Sequence, residues 1–128
     1  VLQGWQEDDY LRHLGMYEDA DIEMGEEPTI GLGSVCRRQG TEMAERLARE
    51  LAGMGLRLHG FGFKLQGLER SARWFKSADS MAWSTMARKQ QIRLPGCSHA
   101  RCNNCMRWAL QWRGRVLSAV DSGLRLTA

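Results

Sequence analysis

Four side chains that commonly bind transition metals lie within nine residues near the end of this 128-residue sequence. They are Cys97, His99, Cys102 and Cys105, in the segment GCSHARCNNC. Three thiolates and one imidazole form a tetrahedral donor set for zinc, and the short Cys102–Cys105 spacing lets both sulfurs reach one ion. The alternatives are ordinary buried thiols or a redox pair of the C-x-x-C type, although a redox pair needs no further Cys or His nearby. Four protein ligands close the site, so we expect the zinc to be structural.

The reactive groups must therefore lie elsewhere in the chain. Asp79 interrupts the apolar segment Ala78–Trp83, where a carboxylate is costly unless it is paired or used. It is either a catalytic carboxylate, or a helix N-cap or other structural acid with its hydrogen bonds satisfied. Gln3, beside a glycine, has the paired donor and acceptor that match the edge of a planar heterocycle, or it is a solvated strand end. Cys36 has no His-Asp partner evident in the sequence, and we interpret it as a small buried residue.

Basic residues follow two glycine-rich segments. Arg37 and Arg38 could hold a phosphate through bidentate contacts, although adjacent loop arginines are often only solvated. His59 and Lys64 flank Phe61 and Phe63. Aromatic and basic residues together suit a nucleic-acid surface, whereas alternating phenylalanines in a strand are usually core.

Composition sets the broad class. The 43% of apolar residues can build the core of one domain. A net charge of +3 is compatible with a polyanionic partner but does not require one. The mean hydropathy is −0.45 and no stretch approaches the roughly 20 apolar residues of a membrane span, so we expect no membrane association. Clustered cysteines without a disulfide framework predict a reducing, cytoplasmic setting.

Short apolar runs alternate with helical patterns along the chain. The predicted strands are Val1–Trp5, Thr29–Val35, Leu56–Phe63 and Ala78–Trp83. The predicted helices are Asp8–Tyr17, a segment capped by Thr41, Leu68–Phe75 and Cys102–Val120. This alternation is typical of βα units around a parallel sheet, and four such units make half of an eight-unit barrel.

We accordingly predict an α/β fold with two parts. Residues 1–88 form four βα units of a partial TIM-type barrel, and residues 89–128 form a zinc knuckle and a C-terminal helix packed on it. Reactive residues in such folds sit at the carboxyl ends of the strands. Half a barrel has open edges, so we expect it to pair with a missing N-terminal half or with a second copy. The chain opens directly on a strand, which suggests a piece of something larger.

Five motifs in this order resemble the C-terminal half of the tRNA-guanine transglycosylases. The motifs are Gln3-Gly4, GLGSVCRR at 31–38, LHGFGFK at 58–64, ADSMAWS at 78–84 and the Cys-rich knuckle. The chain is most similar to the DNA-directed relatives of those enzymes, the deazapurine DNA-modification transglycosylases of phages and bacteria. The resemblance covers nearly the whole chain.

That resemblance implies base exchange on a TIM barrel with a zinc subdomain. Asp79 matches the nucleophile that attacks C1′ of the nucleotide, although another alignment puts the nucleophile at Ala82. Gln3 matches the residue that reads the purine edge. The strand that contacts the base through its backbone corresponds to Gly31, Gly33 and Ser34. Cys102 and Cys105 match two family zinc ligands, while Cys97 and His99 would replace a cysteine aligned with Ala100 and an absent downstream histidine.

The implied partners are DNA or tRNA and a 7-deazaguanine base. Phosphate contacts are assigned to Arg37, Arg38 and Lys64, and Arg88 and Lys89 are expected to follow the phosphates with them. The family's general acid/base and a second base-reading aspartate lie upstream of Gln3, so we expect this chain alone to be inactive. The main alternative is a noncatalytic, zinc-stabilised nucleic-acid-binding module or subunit of the same fold. A βα enzyme acting on small sugar phosphates is a third hypothesis.

Overall fold

The computed structural model of the chain describes residues 1–125, which form a mixed α/β fold around a small parallel sheet. The sheet has three strands in the order β1 (Ile30–Leu32), β2 (Leu58–Gly60) and β3 (Phe75–Ala78), and both neighbouring pairs are parallel. Leu2 forms a parallel bridge with Leu32 on the free side of β1. The first predicted strand is thus reduced to one paired residue, and the half-barrel stays a prediction.

Helices connect the strands, as parallel pairing requires. The described helices are α1 (Glu7–Glu18), α2 (Glu42–Gly53), α3 (Leu65–Ser71), α4 (Ala82–Lys89) and α5 (Met106–Arg125). Two short 3₁₀ turns, Ala72–Trp74 and Cys102–Asn104, precede β3 and α5. The predicted alternation of strands and helices is therefore present from β1 to α4. Within residues 1–125, no helix is both long enough and apolar enough to cross a bilayer.

The helix predicted to begin after a Thr41 cap is confirmed as α2. The Thr41 hydroxyl accepts the backbone N–H of Ala44 at 3.3 Å, which satisfies a donor that the first turn leaves free. The apolar stripe of the helix is buried through Ala44, Leu47, Ala48 and Leu51. Burying such a stripe stabilises the helix far more than propensity does, because isolated helices of this length are marginal.

The main core lies between the sheet and the helices α1 and α2, with Leu2, Leu32 and Leu58 fully buried. Tyr10 reaches across this core from α1, and its hydroxyl donates to the carbonyl of Gly33 at 2.8 Å. Burial raises the pKa of Tyr10. The bond ties α1 to the loop that follows β1, which is one of the glycine-rich segments singled out above.

The fourth predicted strand was placed too late in the sequence. The strand is Phe75–Ala78, and the segment predicted as Ala78–Trp83 contains the start of α4 at Ala82. Phe75, predicted at a helix end, pairs with Leu58 and packs against Phe63 with ring centroids 4.5 Å apart. The apolar run after Ala78 is a helix face that packs on a second core, and a short run of this kind does not distinguish strand from helix.

Two burial predictions need correction as well. Cys36 is exposed, not buried, because it lies in the loop after β1 and not on a strand. Phe63 is fully buried, whereas Phe61 keeps 39% of its surface exposed. The two phenylalanines of the LHGFGFK segment therefore belong to different environments. The last helix also begins later than predicted, at Met106, because Cys102–Asn104 forms a 3₁₀ turn.

Candidate functional site

Several predicted site residues lie along the same edge of the sheet. The register aligns Leu2 with Leu32, Leu32 with Gly60, and Gly60 with Ala78. The next residue after each of these four is Gln3, Gly33, Phe61 and Asp79, respectively. With parallel strands about 4.8 Å apart, Gln3 and Asp79 are separated by three strand spacings, or about 14 Å. Both are exposed at the carboxyl end of the sheet.

Asp79 follows β3 immediately and is held by the neighbouring loop. Its Oδ1 accepts the backbone N–H of Gly62 at 2.8 Å, and its own N–H donates to the carbonyl of Gly60 at 3.2 Å. Its side chain is nevertheless 61% exposed. The carboxylate is therefore held at one oxygen by the loop, while its side chain stays open to solvent.

His59 stands beside Asp79 on the adjacent strand. Its Nε2 lies 3.7 Å from Oδ2 of Asp79, and its Nδ1 lies 2.8 Å from the hydroxyl oxygen of Ser77. The ring of Phe61 packs against the imidazole at 70° with centroids 4.8 Å apart. Our sequence analysis did not identify Ser77, because a bulge between Leu58 and His59 shifts the register and brings Ser77 opposite His59.

Neighbouring side chains pack closely against the two glycines that were predicted to contact a base. A Cβ at Gly31 would collide with the ring of Phe61, and one at Gly33 would lie 3.2 Å from Cγ of Gln3. The side chain of Gln3 thus lies over Gly33, while its backbone N–H donates to His13 Nδ1 at 3.0 Å. Ser34 is exposed and has a φ of 60°, so the chain turns sharply there.

The two adjacent arginines have different surroundings. The guanidinium of Arg38 donates to the carbonyls of Gly4 and Ser34, at 3.3 and 3.2 Å, and also to that of Trp5. It also lies 4.2 Å from the centre of the Trp5 ring. Arg38 therefore ties the start of the chain to the loop after β1. Arg37 is exposed, and among the residues of the described chain it has no such set of acceptors.

A cavity of about 650 Å³ is lined by Ser80, the residue that follows Asp79, and by Gly62, which holds the Asp79 carboxylate. Its rim carries four cationic side chains, those of Arg37, Lys64, Lys89 and Arg115, and no Asp or Glu lines it. Leucine, methionine and tryptophan side chains form its apolar surface: Leu65, Met81, Met86 and Trp112. A basic rim around an apolar floor is typical of surfaces that bind single-stranded nucleic acid. The structure thus groups the predicted phosphate-contact residues Arg37, Lys64 and Lys89 with Arg115, a cation that the sequence analysis did not assign. Arg88, which was also predicted to follow the phosphates, does not line this cavity.

The predicted metal ligands come together. The ligand atoms of Cys97, His99, Cys102 and Cys105 all lie within 4.8 Å of one another. The sulfurs of Cys97 and Cys105 are 3.9 Å apart, and Nε2 of His99 is 3.2 Å from the sulfur of Cys102. Two thiolates bound tetrahedrally to one zinc ion stand about 3.8 Å apart, given a Zn–S bond of about 2.3 Å. The residues present therefore fit a closed zinc site.

N–H groups around the cluster suit thiolate ligands. The backbone N–H of Leu94 donates to the sulfur of Cys102 at 3.2 Å. The guanidinium of Arg107 lies 3.6 Å from the sulfur of Cys97. Burial raises the pKa of the Cys97 thiol. Backbone N–H groups of Trp108 and Arg107, in the first turn of α5, lower the pKa of Cys105. Such donors orient metal ligands and offset their charge.

The metal cluster is also the centre of the second core. Trp108 and Trp112 of α5 are buried there, with Ala87 of α4. The indole N–H of Trp108 donates to the carbonyl of Trp83 at 2.8 Å, which joins the two helices. Residues of α5 also line a cavity of about 380 Å³ whose other wall includes Asp79 and Ser80. The cluster therefore supports the helix that flanks the carboxylate.

Comparison with known proteins decides the family. A protein-family model described as DpdA, deoxypurine in DNA protein A, matches residues 1–126. The chain belongs to the DpdA family. Searches of curated proteins and of solved structures each gave no match. The DpdA family description points to a role in the modification of purines in DNA, in agreement with the DNA-directed branch of the resemblance drawn from the motifs.

Proposed function

We propose that this chain is the part of a DNA transglycosylase that supplies the nucleophile. The complete enzyme exchanges guanine for a 7-deazaguanine base. The observation that carries this proposal is the exposed Asp79 carboxylate, held by Gly62 at the same edge of the sheet as Gln3. The DpdA match supports DNA, and not tRNA, as the substrate. The transglycosylase activity itself is our inference from the motifs and from this geometry.

The proposed reaction has two displacements at C1′ of the nucleotide. An oxygen of Asp79 forms a bond to C1′ while the C1′–N9 bond breaks, and guanine leaves with the bonding electrons and takes a proton from an acid outside this chain. The conjugate base of that acid then removes the proton from N9 of the 7-deazaguanine, N9 attacks C1′, and the Asp79 carboxylate is released. A carboxylate also stabilises the oxocarbenium-like charge that develops as the glycosidic bond breaks.

The base must be extruded from the DNA stack to reach Asp79. We propose that the side chain of Gln3 reads its edge, while the backbone of Gly31, Gly33 and Ser34 lies against it. Gln3 already covers the Gly33 backbone, and Phe61 offers an exposed ring on the same side of the sheet. Glycine at these positions lets a backbone approach a planar ligand closely.

The DNA backbone is proposed to follow the basic rim of the larger cavity. Arg37, Lys64 and Lys89, which were predicted to contact phosphates, lie there with Arg115. Arg38 would have to break its hydrogen bonds to three carbonyls before it could bind a phosphate, so we assign it to positioning the loop. Phosphate contacts of this kind supply most of the sequence-independent affinity for DNA.

We further propose that the sheet is one half of a TIM-type barrel. The Leu2 bridge and the three strands give four parallel neighbours in the sheet. Helices pack on one face of the sheet, and His59, Phe61 and Ser77 lie on the other. A missing N-terminal half-barrel would cover that face and provide the general acid, whereas a second copy of this chain would only cover the face. Zinc bound by the Cys97 cluster is assigned a structural role, since four protein ligands leave no open position.

The test is a base-exchange assay on the chain in its full-length context. Duplex DNA with radiolabelled guanine is incubated with excess 7-deazaguanine base, and loss of label from the DNA is measured. Asp79→Asn should lower the rate by at least about 10³-fold, as expected for loss of a nucleophile. Asp121→Asn removes the same charge from an exposed position on α5 and should leave the rate unchanged.

The alternative is a noncatalytic DNA-binding module. It is favoured if the Asp79→Asn protein exchanges bases at the wild-type rate, or if the wild-type protein binds DNA without exchanging any base. A parallel reaction on tRNA tests the substrate, because preferential exchange in tRNA would contradict the DNA assignment. The isolated 128-residue chain is expected to show no exchange in either case.

A further inference from the structure

His59 has two polar neighbours that together fix its imidazole ring. On one side, Nδ1 lies 2.8 Å from the hydroxyl oxygen of Ser77 on β3. On the other side, Nε2 lies 3.7 Å from Oδ2 of Asp79. The side chain of His59 is only 20% exposed, whereas that of Asp79 is 61% exposed. A partly buried imidazole is thus aimed at a solvent-accessible carboxylate.

The strands and an aromatic ring hold this arrangement in place. The register places His59 directly opposite Ser77, and Asp79 follows Ser77 by two residues, so the three side chains share one face of the sheet. The edge of Phe61 packs against the imidazole with centroids 4.8 Å apart. Because Oδ1 of Asp79 already accepts the N–H of Gly62, the oxygen that faces His59 is the one without a backbone donor.

We propose that His59 is a positioning residue for the Asp79 nucleophile, and that Ser77 selects its tautomer. This inference rests on the function proposed above. When the Ser77 hydroxyl donates to Nδ1, the ring proton resides on Nε2 and points at Oδ2 of Asp79. The Nε2–H then orients the carboxylate for attack on C1′. It also stabilises the negative charge that returns to Asp79 when the incoming base displaces it.

The distance of 3.7 Å is consistent with a bond that shortens during the reaction. Hydrogen bonds between catalytic groups are often long in free enzymes and tighten in the substrate complex. Closing the site with DNA and with the rest of the barrel would also exclude water, which strengthens an N–H to carboxylate interaction. His59 therefore acts through Asp79 and makes its contribution mainly after the substrate has bound.

Two substitutions of similar polarity separate this role from simple packing. In His59→Gln, an amide N–H can occupy the place of Nε2 and reach Asp79. In His59→Asn, the shorter side chain reaches only the place of Nδ1, beside Ser77. We expect His59→Gln to keep kcat within about threefold of wild type. His59→Asn and His59→Ala should each lower it by about 10- to 100-fold, the worth of a hydrogen bond to a charged group. KM for DNA should change little in all three variants.

A spectroscopic readout makes the test independent of turnover. The ¹⁵N chemical shifts of His59 in the full-length protein should report the Nε2–H tautomer, and Ser77→Ala should mix the two tautomers and lower kcat. Equal kcat values for His59→Gln and His59→Asn, or an Nδ1–H tautomer in the wild type, would overturn the proposal while leaving the Asp79 mechanism intact. Exchange that survives Asp79→Asn would overturn both.

Discussion

The backbone N–H of Gly62 donates to Oδ1 of Asp79 across 2.8 Å, from a residue whose φ is 68°. This conformation is rarely open to residues with a Cβ, and a Cβ at Gly62 would also lie 2.8 Å from that of Cys36. The loop after β2 is therefore shaped so that one glycine holds the carboxylate that follows β3.

Gly62→Ala should consequently damage both stability and base exchange. The strained φ and the contact with Cys36 force the loop to shift, and the shift removes the hydrogen bond to Asp79. We expect the free energy of unfolding to fall by more than about 1 kcal/mol, and kcat to fall about tenfold. Denaturant unfolding and the exchange assay measure the two effects.

Gly15→Ala is the matched control, because α1 has open space at that position. It should leave exchange unchanged and stabilise the fold by up to about 1 kcal/mol. If Gly62→Ala is as active and as stable as Gly15→Ala, the loop does not position Asp79 in the way we describe.

Gly31→Ala should act through Phe61, whose ring lies where the new Cβ would be placed. The ring must move away from its edge-on contact with His59, which is expected to lower exchange. The double variant Gly31→Ala with Phe61→Leu frees that space and should recover part of the lost activity. A double-mutant cycle measures the coupling, and strictly additive effects would show that the two positions do not interact.

Lys89→Glu should weaken DNA binding, whereas Arg88→Glu should not. The two residues are neighbours at the end of α4 and both are exposed, but only Lys89 lines the basic cavity. We expect a loss of affinity of about tenfold for Lys89→Glu at low salt, which shrinks as salt rises because the contact is electrostatic. Fluorescence anisotropy with a labelled oligonucleotide tests this, and equal losses for both variants would argue against the cavity as the binding surface.

The metal centre predicts about one equivalent of zinc per chain. Cys102→Ser and Cys105→Ser should lose the metal and lower the melting temperature, since the cluster joins α4 to α5 through the second core. Cys36→Ser removes the exposed thiol outside the cluster and should retain full zinc. Elemental analysis that finds less than about a tenth of an equivalent in the wild-type protein would contradict the ligand assignment.

The sequence predictions that the structure confirms rest on patterns within a few neighbouring residues. Thr41 and the apolar stripe of α2 are encoded within a few residues, and the short spacing of Cys97, His99, Cys102 and Cys105 predicted a cluster that could hold a metal ion. The fourth strand was placed too late because an apolar run with an interrupting aspartate also describes the beginning of α4. Local hydrophobicity does not distinguish those two outcomes.

Contacts between residues that are far apart in the sequence could not be predicted from it. The pairing of His59 with Ser77 depends on a register shift that skips Lys76 of β3, and the hydrogen bonds of Arg38 depend on carbonyls at the start of the chain. Neither has a local signature, because strand register is set by the folded sheet as a whole. His59 and Arg38 were both singled out as residue types, but their roles follow from geometry.

The central claim is that Asp79 forms a bond to C1′ of the DNA nucleotide. The most direct measurement is to quench the full-length protein after mixing with DNA in the absence of incoming base, digest it, and locate the adduct by mass spectrometry. We predict a deoxyribosyl ester on the peptide that contains Asp79, and none in Asp79→Asn. An adduct on a different carboxylate, while wild-type exchange proceeds, would contradict the account.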